Sequence, residues 1–140
     1  MRLPTRLSLL SATLVAIVLS LAISASAAAS AIKVPNCTKA SIRPKTVTLT
    51  CADANTLVSG LTWSTFGGPT AKAKGTFQIN KCEPNCAAGK FSKYPVKVTV
   101  SGTRKCSGNM RIYSKLTVQF TGKAPAKANT LKSWTLSCPT

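Results

Sequence analysis

The stretch from Phe77 to Val100 limits the possible folds more than any other part of the chain. Phe77 and Ile79 lead into the loop Lys81-Cys82-Glu83-Pro84-Asn85-Cys86-Ala87-Ala88-Gly89-Lys90. Beyond it, Val96, Val98 and Val100 alternate with Lys97, Thr99 and Ser101. A period of two marks a strand with one face buried and one in water. Two such strands joined by a cysteine-bearing turn read as a hairpin, which excludes a helical core for this part of the molecule.

The same signal recurs along the chain. Lys45 to Cys51 sets Val47, Leu49 and Cys51 against Thr46, Thr48 and Thr50. Ala52-Asp53-Ala54-Asn55 then reads as a turn, because Asp and Asn side chains hydrogen-bond nearby backbone. Leu57 to Phe66 is the next expected strand, with Leu57, Leu61 and Trp63 as core candidates and Gly60 as a bulge; Gly67-Gly68-Pro69 ends it. Thr70 to Asn80 alternates Ala71, Ala73, Gly75, Phe77 and Ile79 with Lys72, Lys74, Thr76 and Gln78. Met110 to Phe120 is the longest alternation, with Ile112, Leu116 and Val118 facing in and Arg111, Tyr113, Lys115, Thr117 and Gln119 facing out. Leu131 to Cys138 supplies a last strand with Trp134 and Leu136 inward, after a Lys/Ala/Pro loop from Gly122 to Asn129. Ile32 to Pro44 is expected to be an entry segment in which Pro35 and Pro44 exclude a regular helix, Phe91 to Pro95 to lead into the valine strand, and Ser101 to Asn109 to be a turn region. These readings give an all-β domain: a small antiparallel sandwich or barrel of six to seven strands. Cys51 and Trp63 loosely match immunoglobulin spacing, but Cys106 lacks the Tyr-x-Cys context, so that fold is not expected.

Residues 1–31 have the character of an export signal. Arg2 and Arg6 precede an apolar run from Leu7 to Ile23, and small residues follow with A-x-A sites at Ala25-Ser26-Ala27 and Ala29-Ser30-Ala31. Cleavage after Ala31 would leave 140 − 31 = 109 residues, one domain spanning 32–140. The apolar run approaches the ~18 residues of a spanning helix, so membrane contact is expected only if the segment stays uncleaved as an anchor. The implied location is extracellular or associated with the cell wall.

All six cysteines, Cys37, Cys51, Cys82, Cys86, Cys106 and Cys138, follow the signal. An even count after an export signal reads as a disulfide framework, for which about fifteen pairings exist. Cys82–Cys86 is the first pair expected, because Pro84-Asn85 turns the chain between them. Cys37–Cys51 with Cys106–Cys138 is the arrangement chosen for the rest. A redox or metal role is the alternative, but Cys-x3-Cys is not the thioredoxin-like spacing and the chain has no histidine to share a zinc ion.

Composition removes most chemistry. Asp53 and Glu83 are the only carboxylates, against 19 lysines and arginines, and the formal charge is +17. Without Arg2 and Arg6 the remaining domain carries 17 − 2 = +15. Acid–base catalysis lacks candidate groups, and no Gly-x-Ser-x-Gly motif or phosphate-binding loop is present. No enzyme activity, cofactor or metal is therefore expected. The charge itself attracts polyanions. Candidate contacts are Lys72 and Lys74, Lys90 and Lys93, Arg104 and Lys105, and Arg111 and Lys115. The expected partners are anionic wall or surface polymers, without specific nucleic-acid recognition, or a protein partner met by the Cys82–Cys86 loop. The plainer reading is that the lysines solvate strand faces and keep sheet edges from pairing. Phe91 and Tyr94 are expected to pack under the loop. Asn36-Cys37-Thr38 matches an N-glycosylation sequon, a pattern common by chance.

Ile42-Arg43-Pro44 with Leu49-Thr50-Cys51-Ala52-Asp53, Leu61-Thr62-Trp63-Ser64, and Cys82-Glu83-Pro84-Asn85-Cys86-Ala87-Ala88-Gly89 with Tyr94-Pro95-Val96 together resemble a group of small exported actinobacterial proteins of unknown function. The resemblance covers roughly Ile42 to Val118. It implies a bacterial, extracellular or wall-associated setting, and it implies no site residues.

Overall fold

The computed structural model describes residues 30–140, and the expected signal segment lies outside them except for Ser30 and Ala31. The architecture is all-β, a single curled sheet forming a half-barrel. Its strands are β1 (Ile32–Asn36), β2 (Lys39–Ser41), β3 (Val47–Thr48), β4 (Thr56–Thr65), β5 (Thr70–Asn80), β6 (Phe91–Lys105), β7 (Arg111–Phe120) and β8 (Ser133–Thr135). They lie in the order β2-β1-β7-β6-β5-β4-β3, with β8 also on β7. Pairing is antiparallel except between β1 and β7, which run parallel in the register Ile32↔Arg111 and Lys33↔Ile112. The sheet is thus mixed where an antiparallel one was expected, because the entry segment, for which no strand was assigned, supplies β1 beside β7. Ile32 and Val34 are buried with Lys33 half-buried between them, but Pro35 is buried as well, so the alternation stops at Pro35.

The long hairpin β5–β6 is the centre of the fold and pairs continuously from Thr70↔Ser101 to Asn80↔Phe91. Strand β6 is longer than the valine run suggested, taking in both Phe91–Pro95 and Ser101–Lys105. Ala71, Ala73, Phe77, Val96, Val98 and Val100 turn inward and meet Leu116 and Val118 of β7. Burying one side chain of this size removes ~1.5–3 kcal/mol of hydration cost, so this inner face is the main source of stability.

Three inward assignments change. Val58 of β4 pairs with Phe77 and shares its face, so Val58 is fully buried and Leu57 only half-buried. The expected bulge at Gly60 then restores the pattern: Gly60 has φ +60° and the register shifts between Ser59 and Thr62, which turns Leu61 and Trp63 inward. Tyr113, expected outside, is fully buried. Tyr113 and Leu116 both enter the core three residues apart, so β7 changes face between them, beside Ser114, whose hydroxyl donates to the Gly102 carbonyl at 2.9 Å. The Tyr113 hydroxyl donates to Gly68 O at 2.8 Å and accepts from Gly67 N–H at 3.2 Å, which fastens the β4–β5 turn to the core. A buried phenol needs such partners to offset its lost hydration.

The disulfides are Cys37–Cys51, Cys82–Cys86 and Cys106–Cys138, the pairing chosen from the sequence. Strand β3 is shorter than Lys45–Cys51, because the chain turns at Cys51, and the last strand covers only Ser133–Thr135, with Leu136 buried beyond it. A short 3-10 turn at Ala128–Leu131 precedes it.

Candidate functional site: a lysine face on the central strands

The site begins with strand periodicity. Since Ala71, Ala73, Val96 and Val98 point inward, Lys72, Lys74 and Lys97 must point outward, and all three are exposed. The register sets Lys74 directly opposite Lys97, and Lys72 opposite Thr99. Across the next pairing, Lys97 faces Gln119, Thr99 faces Thr117, and Ser101 faces Lys115. Lys93, opposite Gln78, has the same parity as Lys97 and lies on the same outer face. Five lysines (72, 74, 93, 97 and 115) therefore share one face of β5, β6 and β7, all of them exposed.

At the centre of this face is a groove of about 360 Å³ lined by Ser64, Lys72, Lys74, Lys97, Thr99 and Gln119, floored by Ala73 and Val98. No carboxylate lines it. Both acids are elsewhere. Asp53 sits in the β3–β4 turn, where its carboxylate accepts from Asn55 N–H at 3.1 Å and from the Asn55 side-chain amide at 2.9 Å. These bonds, the backbone one foremost, with a further one from Thr50, hold the Asp53 carboxyl below its ordinary value of 3.8. Its assignment as a turn residue fits this geometry. Glu83 is exposed in the Cys82–Cys86 loop.

The sequence-based cationic candidates divide by place. Lys72, Lys74, Lys93 and Lys115 come together on the outer face. Lys97, central to it, was not among them, although its position between two inward valines is the signal that finds it. Arg104 and Lys105 lie at the far end of β6, where Lys105 pairs opposite Arg111. Lys90 stands apart at the end of the cysteine loop, bonding through its carbonyl to Lys81 N–H at 3.1 Å.

That loop is itself well built. Asn80, the last residue of β5, accepts from Cys82 N–H at 2.9 Å and donates to Cys86 O at 2.8 Å and to Asn55 Oδ1 at 2.9 Å. Asn85 Oδ1 accepts from Ala88 N–H at 2.9 Å. Gly89 packs so closely that a Cβ there would collide with Asn80 Oδ1 and press on Asn85 O and Cys82 N. Glu83 and Asn85 are exposed on this support. Asn80 was not singled out from the sequence; an Asn closing a strand carries little signal until its partners are known. Tyr94 packs edge-on against Phe120 at 6.2 Å, on the core side, whereas Phe91 remains 38% exposed rather than packing under the loop.

All six cysteines are bonded, so none offers a thiolate to a metal or a substrate. The sequon asparagine is engaged in the fold: Asn36 Oδ1 accepts from Thr48 N–H at 2.9 Å and its amide donates to Thr46 O at 3.3 Å. Comparison with protein-family models, with curated proteins and with solved structures finds no match to this chain.

Proposed function

We propose that this is an exported, non-enzymatic basic domain that contacts anionic polymers at the cell surface. One observation carries the reading: five lysines share the outer face of β5, β6 and β7, and neither carboxylate lines its groove. Lysines on edge strands are accounted for by protection against edge-to-edge pairing. Lys72, Lys74, Lys97 and Lys115 each have paired strands on both sides, so four of the five lysines have no edge to protect; Lys93 lies just past the last β6–β7 pair. The export signal, the three disulfides and the resemblance to small exported bacterial proteins belong to the same proposal, since disulfides persist in oxidising compartments.

The test is retention of the oxidised protein on heparin and on purified wall polymer across a salt series. Each lysine–anion contact adds roughly one unit to the slope of log affinity against log salt. Retention by wall polymer should fall steeply and exceed that of an unrelated protein of similar charge. Retention no better than that control would leave the lysines as solvating groups only.

A second reading, a protein-interaction or inhibitor module, is favoured by the exposed Cys82–Cys86 loop and its anchoring through Asn80.

A further inference from the structure

We propose that the groove bounded by Lys72, Lys74 and Lys97 is a discrete binding site for phosphate groups supplied by a phosphodiester-linked polymer. This rests on the anionic-polymer reading above and gives it a location and a ligand chemistry.

Register makes the case. Directly opposed residues have Cβ atoms ~4.5–5.5 Å apart, and residues two apart on one strand lie ~7 Å apart. Lys74 and Lys97 form such an opposed pair and Lys72 is the next outward residue along β5. Three ammonium groups on flexible stems can therefore converge above one point, over a floor made of Ala73 and Val98. Like charges placed directly opposite destabilise a sheet. Here no carboxylate in the groove relieves them. A bound anion would, and whatever binds the native state alone also stabilises it.

The side chains favour phosphate over carboxylate. Planar, two-pronged recognition of a carboxylate is the work of arginine, whereas lysine acts as a rotatable point charge. All the cations in the groove are lysines, joined by the Thr99 hydroxyl and the Gln119 amide, while the Ser64 hydroxyl donates to Lys72 O at 3.2 Å. Such a set can meet a tetrahedral oxyanion from several directions.

A polymer fits better than a free ion, because the face continues beyond the groove. Lys93 lies four residues from Lys97 along β6, ~13 Å away at strand rise. Lys115 lies one outward position beyond Thr117, which pairs with Thr99, and so ~12 Å from Lys72 across two strand spacings. The two outlying lysines flank the central trio at distances an extended chain of phosphates can span.

Calorimetric titrations at one ionic strength test this, using poly(glycerol phosphate), polyglutamate of equal charge, and inorganic phosphate. The oxidised protein recovered after export is compared with K72Q/K74Q/K97Q and with K81Q/K123Q/K127Q, which removes equal charge elsewhere. All six side chains are exposed, so neither variant disturbs the core. The expected result is a preference of roughly ten-fold for poly(glycerol phosphate) over polyglutamate, lost in the groove variant and kept in the other. Equal losses in both variants would overturn the groove but leave the anionic-polymer reading standing. Binding of both polymers no tighter than by an unrelated protein of matched charge would overturn that reading as well. Inorganic phosphate binding as tightly as the polymer's phosphate units would keep the site and remove the polymer as its source.

Discussion

Asp53 shows how a single side chain ties stability to pH in a protein almost without acids. Its carboxylate is fully exposed but accepts the hydrogen bonds that close the β3–β4 turn. Those bonds favour the ionised form, so the folded value lies below the unfolded one. Its contribution is therefore complete above the ordinary value of 3.8 and is lost as pH falls through the lower, folded value. Urea midpoints from about pH 5 to about pH 2 should fall more steeply for the native protein than for Asp53→Ala. Parallel curves would show that the turn bonds carry no pH dependence. At this scale the sequence is legible where a residue acts locally, as Asp53 does in its turn. It is silent where a residue acts through distant partners. Tyr113 reads as an outward strand position until the Gly67-Gly68 turn, far away in sequence, is seen to receive its hydroxyl.

Among elements, the β5–β6 hairpin was plain in the sequence and the first two strands, β1 and β2, were not. Alternation over Thr70–Lys74 and Val96–Val100 is clean because Ala71, Ala73, Val96, Val98 and Val100 are all buried on one face. Strands β1 and β2 are short and carry prolines close by, features that read as irregular chain. The lysine face followed from the same alternation, but its width across β5, β6 and β7 needed the register. The hairpin loop carries its own prediction. Closing so short a loop with Cys82–Cys86 stabilises by only about 2 kcal/mol in the chain-entropy account. Cys82→Ser/Cys86→Ser should therefore remain folded, losing about 2 kcal/mol in denaturant titrations, since β5 and β6 stay paired as far as Asn80↔Phe91. If a protein partner is found, a folded variant that still binds it would remove the case for the loop as a docking element.

For the molecule as a whole, the long disulfide matters more. Cys106–Cys138 spans 32 residues and fastens the end of β6 to the segment beyond β8. The same account gives about 4 kcal/mol for it, a large share of the ~5–15 kcal/mol typical of a domain. Cys106→Ser/Cys138→Ser should lower the denaturant midpoint about twice as far as the loop variant does, or abolish folding. Equal effects from the two variants would contradict the loop-length argument. The all-β class and the Cys82–Cys86 pair were legible in the sequence because alternation and close spacing are local properties; Cys37–Cys51 and Cys106–Cys138 match the arrangement chosen, but no local feature singled them out. The half-barrel was not, because curvature and strand order depend on which distant strands meet. The parallel contact of β1 with β7 is the clearest case, since it joins residues from opposite ends of the domain. Ile32 and Arg111 are 111 − 32 = 79 positions apart, so this contact closes a far longer loop than the β1–β2 or β5–β6 pairings do, and its entropic cost is set by the whole length of chain between them.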